Sequence, residues 1–211
     1  MLLGIDTCGD TGTIALARWS NDRVTLLVQM ELPGKTYSAQ VVPAIHEILT
    51  AQGSGAAELE AIVVVHGPGS FTGVRIGVSS AKALAEALNI PLLAVSRLAV
   101  LAQKAGTDAA VLDAGRGEFY FRTGSEEALL GPEGIRERSG SESLAVCEEN
   151  AKRAFAEAVF VEPPTASDAL LFAVPRLLAK DFDDIALLDG NYVRRSDAEL
   201  FAKQTNRSAK A

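Results

Sequence analysis

Apolar residues follow two different rhythms along this chain, and the rhythm assigns the elements. "LLGID" and "TIALAR" are short β-prone runs joined by "TCGDTG", whose Gly and Asp residues suit a tight turn, so the three together read as a hairpin. "RVTLLVQMEL" reads as a third strand, ended by Gly34 and Lys35. From Ser38, an N-cap candidate, Val41, Val42, Ile45, Ile48 and Leu49 recur at helical spacing as far as Gly53, with Pro43 expected to bend the first turns. "LEAIVVVHG" is a continuous apolar run, the pattern of a strand buried on both faces. The loop "VHGPGSFTGVRIG", Val65 to Gly77, leads into a helix that starts at Ser70 or Thr72 and runs to Asn89, and "IPLLAV" is a further buried strand. Strand, loop, helix and strand make a βαβ unit.

The second half repeats the opening. "AAVLDAGRGEFYF" places Asp113 directly after an apolar strand and follows it with a glycine turn and a second strand, 107 residues after Asp6 does the same. Such a duplicated start suggests two lobes of one α/β design, with chance likeness of two short segments as the alternative. No long linker interrupts the chain, so lobes spanning 1–105 and 106–211 would be tightly joined near Gly106, with the last helix a candidate to return to the first lobe. Beyond Phe121, "SESLAVCEENAKRAFAEA" reads as helix, "VFVEP" as strand, and "TASDALLFAVPRLLAKDF" as helix capped by Thr165 or Ser167.

Composition narrows the function classes. Hydrophobic residues at 48% and charged residues at 22% are ordinary globular values. A formal charge of −7 gives no whole-chain attraction to phosphate backbones, which disfavours unaided nucleic-acid binding. The local exception is "YVRRSDAELFAKQTNRSAK", with five basic residues against two acidic ones, which reads as a solvated tail. Cys8 and Cys147 stand far apart, without a second thiol near either, fitting neither a disulfide framework nor a zinc knuckle, so a reducing cytoplasm is expected. "MLLGID" has no basic start and soon meets Asp6, and "PLLAVSRLAVLA" is short and contains Arg97. Neither a signal peptide nor a membrane span is expected.

The glycine loop admits several chemistries. A loop rising from a buried strand into a helix N-terminus suits an anion, yet no Lys-Ser/Thr pair follows its last glycine, as a P-loop requires. Pro68 stands where a nucleophile elbow around Ser70 needs glycine. His66, alone at a strand end, reads as structural. Gly73, Gly77 and Ala81 lie at i, i+4 and i+8, a small-residue stripe that lets another element approach closely, either in the chain's own core or across a subunit interface.

These residues carry a resemblance. "GPGSFTGVRIG", "AKALAEALNIPLLAVS", "VLDAGRGEFY" and "LLGIDTCGDTGTIAL", with a looser match in "YVRRSDAE", resemble the TsaB family, the non-catalytic subunits of bacterial tRNA threonylcarbamoyladenosine biosynthesis. The likeness covers roughly the first 120 residues well. It implies a two-lobed fold like those of actin, hexokinase and the Hsp70-type ATPases, in agreement with the duplicated hairpins. It also implies a scaffold that pairs with a catalytic paralogue, which transfers a threonylcarbamoyl group to N6 of adenosine 37 in tRNAs reading codons that begin with A. An ATPase subunit joins that complex, tRNA is contacted only indirectly, and a homodimer forms when the subunit is alone.

Site residues follow from the same likeness. The catalytic type binds metal through a His pair at i, i+4, where this chain has Arg97 and Leu101, so no metal is expected. Asp6, Thr7 and Asp113 match the superfamily's nucleotide positions, but the chain has no Gly-Gly pair of the kind that contacts adenosine. ATP or ADP at a subunit junction stays open. The expected partner surface comprises Val41, Ile45, Leu49, Ser70, Phe71, Thr72, Gly73, Gly77, Ala81 and Leu84, in a helical interface of roughly 1,200 to 2,000 Å². Tyr37 stands before Ser38 where the family often has His, and the second lobe is somewhat short. The alternatives are an ATP-dependent phosphotransferase built on Asp6 and its hairpin, and a glycoprotease-like peptidase.

Overall fold

The computed structural model describes residues 1–34 and 36–193. Two five-stranded sheets carry the fold. In the first, β1 (Leu2–Asp6), β2 (Thr11–Ser20) and β3 (Arg23–Pro33) form an antiparallel meander, and β4 (Ala61–Val65) and β5 (Leu92–Val95) extend it in parallel, giving the order β3-β2-β1-β4-β5. In the second, β6 (Ala109–Gly115), β7 (Glu118–Thr123) and β8 (Glu126–Leu130) repeat the meander, and β9 (Leu144–Val146) and β10 (Val159–Phe160) the parallel pair, in the order β10-β9-β6-β7-β8. Order and strand sense coincide, so the duplicated hairpin seen in the sequence is one corner of a duplicated lobe. This is the two-lobed fold of the actin, hexokinase and Hsp70 class.

Helices close the faces of the first sheet. Strands β1 and β4 are buried along their whole length, as their unbroken apolar runs require. On one face lie α1 (Tyr37–Ala51) and α2 (Phe71–Leu88), which also pack on each other. On the other lies α6 (Ala166–Phe172), so close that a side chain at Gly4 would meet the Ala166 carbonyl at 2.8 Å. A capping box starts α6: Thr165 accepts from the Asp168 amide, and the Asp168 carboxylate accepts from the Thr165 amide at 2.9 Å. After Ala173 the chain continues as α7 (Val174–Ala179), with Pro175 in its first turn, where the missing amide costs nothing.

The lobes exchange helices. After β5, α3 (Arg97–Ala105) crosses to the second sheet, where Leu98, Leu101 and Ala102 pack with Ala110, Leu112, Ala145 and Cys147. Helix α6 makes the reverse crossing. The second sheet is completed by α4 (Pro132–Ser139) and α5 (Glu149–Ala154), with Phe119 and Phe155 meeting edge-on at 5.3 Å between centroids.

Several expectations are corrected. Thr36, not Ser38, precedes α1, and its side chain makes no cap bond. "SESLAVCEENAKRAFAEA" is not one helix: Leu144–Val146 pairs in parallel with β6, and α5 begins only after Glu148. A three-residue buried strand is too short to show a period. The small stripe of α2 belongs to the core rather than to a free surface. Gly73 and Gly77 face Thr7, the residue that follows β1, and Ala81 is fully buried. Val41, Ile45 and Leu49 are likewise turned inward, at 1%, 6% and 3% exposure. Residues of the basic tail from Arg194 onward lie outside the described residues.

Candidate functional site

Two places on the fold concentrate features with functional consequences. The first is the outer face of α1 and α2. Between them runs a groove of about 450 Å³ lined by Val42, Ile45, Ser79, Ala83, Leu84 and Ala87. Val42 is 67% exposed although apolar, and Leu84 is half-buried at the floor. Of the expected partner residues, only Ile45 and Leu84 reach this groove. Ser70, Phe71 and Thr72 are exposed at the start of α2, where the Ser70 hydroxyl accepts from the Gly73 amide at 3.3 Å. The Phe71 ring meets Tyr192 in a tilted contact at 5.1 Å between centroids, and the Arg75 guanidinium lies 3.8 Å above Phe71.

The second place is the cleft between the lobes, where the β1–β2 turn faces α3 and β9. The buried Asp6 carboxylate accepts from the Cys8 amide at 2.8 Å, and the Thr7 hydroxyl donates to the Gly73 carbonyl at 2.7 Å. In the second lobe Asp113 accepts from the Gly115 amide and from Asn150 Nδ2, each at 2.7 Å, while its own amide donates to Glu148. The two hairpin aspartates therefore hold equivalent turns.

Between them lies Arg97, 6% exposed, at the start of α3. Its Nη1 stands 3.7 Å from Glu148 Oε1, and its Nε has no acceptor among the described residues. Gly9 makes room, since a Cβ there would lie 2.9 Å from Arg97 Nη2.

Electrostatics follow this geometry. Burial raises the Asp6 carboxyl above its ordinary value, against the pull of Arg97 and the Cys8 amide. Burial likewise raises Glu148, opposed by Arg97 and the Asp113 amide. Desolvation works against the Arg97 charge, but Asp6, Cys147 and Glu148 hold the guanidinium protonated. Burial lifts the Cys8 thiol well above its usual range and Cys147 to about 12, so neither is a thiolate nucleophile at neutral pH. Burial lowers His66, whose Nδ1 lies 3.4 Å from the Asp189 carbonyl, an anchor for the chain segment that follows α7.

A cavity of about 280 Å³ is left beside Arg97, and a larger one of about 790 Å³, lined by Tyr37, Thr72 and Ile76, adjoins it across Gly9, Asp10 and Ser70. The Arg97 charge acts on Asp6 without forming an ion pair with it, and the described residues contain no cluster of three or more metal-ligating side chains.

Sequence reasoning passed over two residues. Glu127 in β8 accepts from Arg122 at 3.0 Å, from Asn191 at 2.6 Å and from the Ser96 hydroxyl, joining the second sheet to the start of α3 and to the chain after α7. Arg97, in the sequence, marks only a charge within an apolar run and a position where the catalytic type has histidine. A lone charge inside "LLAVSRLAVLA" is itself a signal, because a charge flanked by buried residues needs partners.

Known proteins agree with this architecture. The family model described as "TsaD: tRNA N6-adenosine threonylcarbamoyltransferase" matches residues 30–159. The Escherichia coli protein TsaB, named for tRNA threonylcarbamoyladenosine biosynthesis, is 34% identical over 65% of this chain and 65% of its own length. For the Bacillus subtilis TsaB the figures are 40%, 56% and 52%, so the chain spans about half to two thirds of these relatives. An uncharacterized protein of Mycobacterium tuberculosis is 31% identical over 95% of both chains. The solved structure of YeaZ from Pseudomonas aeruginosa aligns with a TM-score of 0.71 and 26% identity, over 90% of this chain and 99% of its own. No helix among the described residues is long and apolar enough to cross a membrane. With its two matching lobes and more than half of its length under one family model, the chain belongs to the TsaD-type threonylcarbamoyltransferase family, and its named relatives there are TsaB proteins.

Proposed function

We propose that this chain is a non-catalytic scaffold in N6-threonylcarbamoylation of adenosine 37 of tRNAs reading codons that begin with A. It binds the catalytic transferase paralogue through the outer face of α1 and α2 and holds it in an active arrangement, in a complex that an ATPase subunit joins. The observation that carries this reading is the groove around Val42, Ala83 and Leu84, an apolar strip on two otherwise solvated helix faces. A helix pair with such a strip fits a matching pair on a related fold, and without the paralogue the same strip joins two copies of this chain. Arg97 and Leu101 in place of the metal-binding histidines, and two protonated buried thiols, support a role without chemistry of its own. The acidic balance of the chain supports tRNA contact through the partner.

Co-purification with the paralogue from the same genome, followed by threonylcarbamoyl transfer with and without this chain, tests the proposal. A stable complex and transfer dependent on this chain are expected. Full activity of the paralogue alone, or transfer by this chain alone, refutes it.

A further inference from the structure

We propose that Arg97 is a built-in cation of the cleft between the lobes: its backbone is held by the glycine loop of the first lobe, its guanidinium pairs with Glu148 of the second, and the residue clasps the two sheets into one body.

Four observations converge. Arg97 stands at the crossing from β5 to α3, and its amide donates to the Gly67 carbonyl at 2.7 Å, so its backbone is fixed to the glycine loop of the first lobe. Its side chain, 7% exposed, points toward the second lobe and pairs with Glu148, the residue that precedes α5. Gly9 leaves the space that the guanidinium occupies. The cavity left directly beside the pair is about 280 Å³, with Cys8, Gly9 and Pro163 among its lining residues.

The charged groups around the clasp set its pH signature. Asp6 faces Arg97 and, more weakly, Asp168; Glu148 faces Arg97, Asp113 and Asp10; Cys8 and Cys147 are uncharged in the neutral range. Both carboxyls titrate above their unfolded values, so the folded state binds more protons and stability falls as pH rises through that window. Arg97 limits the fall. Removing it pushes both carboxyls higher and makes the loss steeper.

The test is thermal unfolding of the full chain and of Arg97→Ala and Arg97→Lys from about pH 5 to about pH 8, with and without methylguanidinium or magnesium-ATP. For Arg97→Ala, a melting-point deficit is expected that widens with pH. It should grow by roughly 3 to 5 °C for each further unit of carboxyl shift, and millimolar methylguanidinium should narrow it. Arg97→Lys retains the charge and should show a smaller, flatter deficit; it decides the matter if the alanine variant does not fold. A deficit of equal size at every pH, without recovery by methylguanidinium, overturns the clasp, since lost packing alone behaves in that way. So does magnesium-ATP raising the melting point of the unmodified protein but not that of Asp6→Asn.

Discussion

The substitution Gly73→Ala separates two opposed effects at one atom. In an exposed helix, alanine in place of glycine is worth up to about 1 kcal/mol of stabilisation. In α2 the added Cβ would lie 1.9 Å from the Thr7 carbonyl oxygen, where about 3.0 Å is the closest approach that real side chains show, so helix and strand must separate by about 1 Å. Overpacking of this kind costs roughly 1 to 3 kcal/mol, and so rigid an obstacle as backbone puts the site at the upper end. The same movement strains the bond from the Thr7 hydroxyl to the Gly73 carbonyl, worth about 1 kcal/mol, and leaves a buried hydroxyl unpaired. Less the propensity gain, the net loss is about 2 to 4 kcal/mol, a fall in melting temperature of roughly 10 °C for a chain of this size.

Gly134→Ala in α4 provides the control, because its Cβ would meet nothing closer than Leu130 at 3.7 Å. That substitution should be neutral or stabilising by up to about 1 kcal/mol. Urea unfolding followed by circular dichroism measures both. If Gly73→Ala proves as stable as the unmodified chain, α2 has slack against β1, and the stripe is not the seam described above.

Val42→Asp, at a position already solvated, should shift unfolding by no more than about 0.5 kcal/mol yet abolish self-association and paralogue binding, as read by light scattering and co-purification. Glu127→Ala removes the acceptor shared by Ser96, Arg122 and Asn191, and should cost about 3 kcal/mol in urea unfolding. Thr165→Ala deletes the α6 cap and should cost about 1 kcal/mol by the same measurement. His66 titrates below its unfolded value of 6.5, so its contribution is present above that value and is lost as pH falls. A His66→Gln variant should therefore lose less stability than the unmodified chain between about pH 7 and about pH 5.

Sequence pattern revealed the first lobe well because its elements are long and their burial is uniform. Strand β4 is apolar throughout and buried throughout, and α2 carries Ser70 and Asn89 at its ends, where the structure has them as caps. The second lobe was less legible. Strands β9 and β10 have three and two residues, and β8 alternates too weakly to stand out. The stripe of Gly73, Gly77 and Ala81 announced close packing, but a helix pressed on its own strand and one pressed on a partner leave the same mark. Only the facing atoms of Thr7 distinguish them. The Arg97–Glu148 pair spans 51 positions and could not be paired from spacing alone.

The exchange of helices also bears on how the chain acquires its structure during synthesis. The first sheet is fully translated by Val95, yet the face above Gly4 stays open until Ala166–Phe172 has been made, some 70 residues later. At about 5 to 20 residues per second, an uncovered apolar sheet persists for several seconds. Neither half, released by a cut near Gly106, would hold the helix that seals it. The two lobes are thus duplicates in pattern but a single unit in folding, and the nascent first half is a natural client for a chaperone.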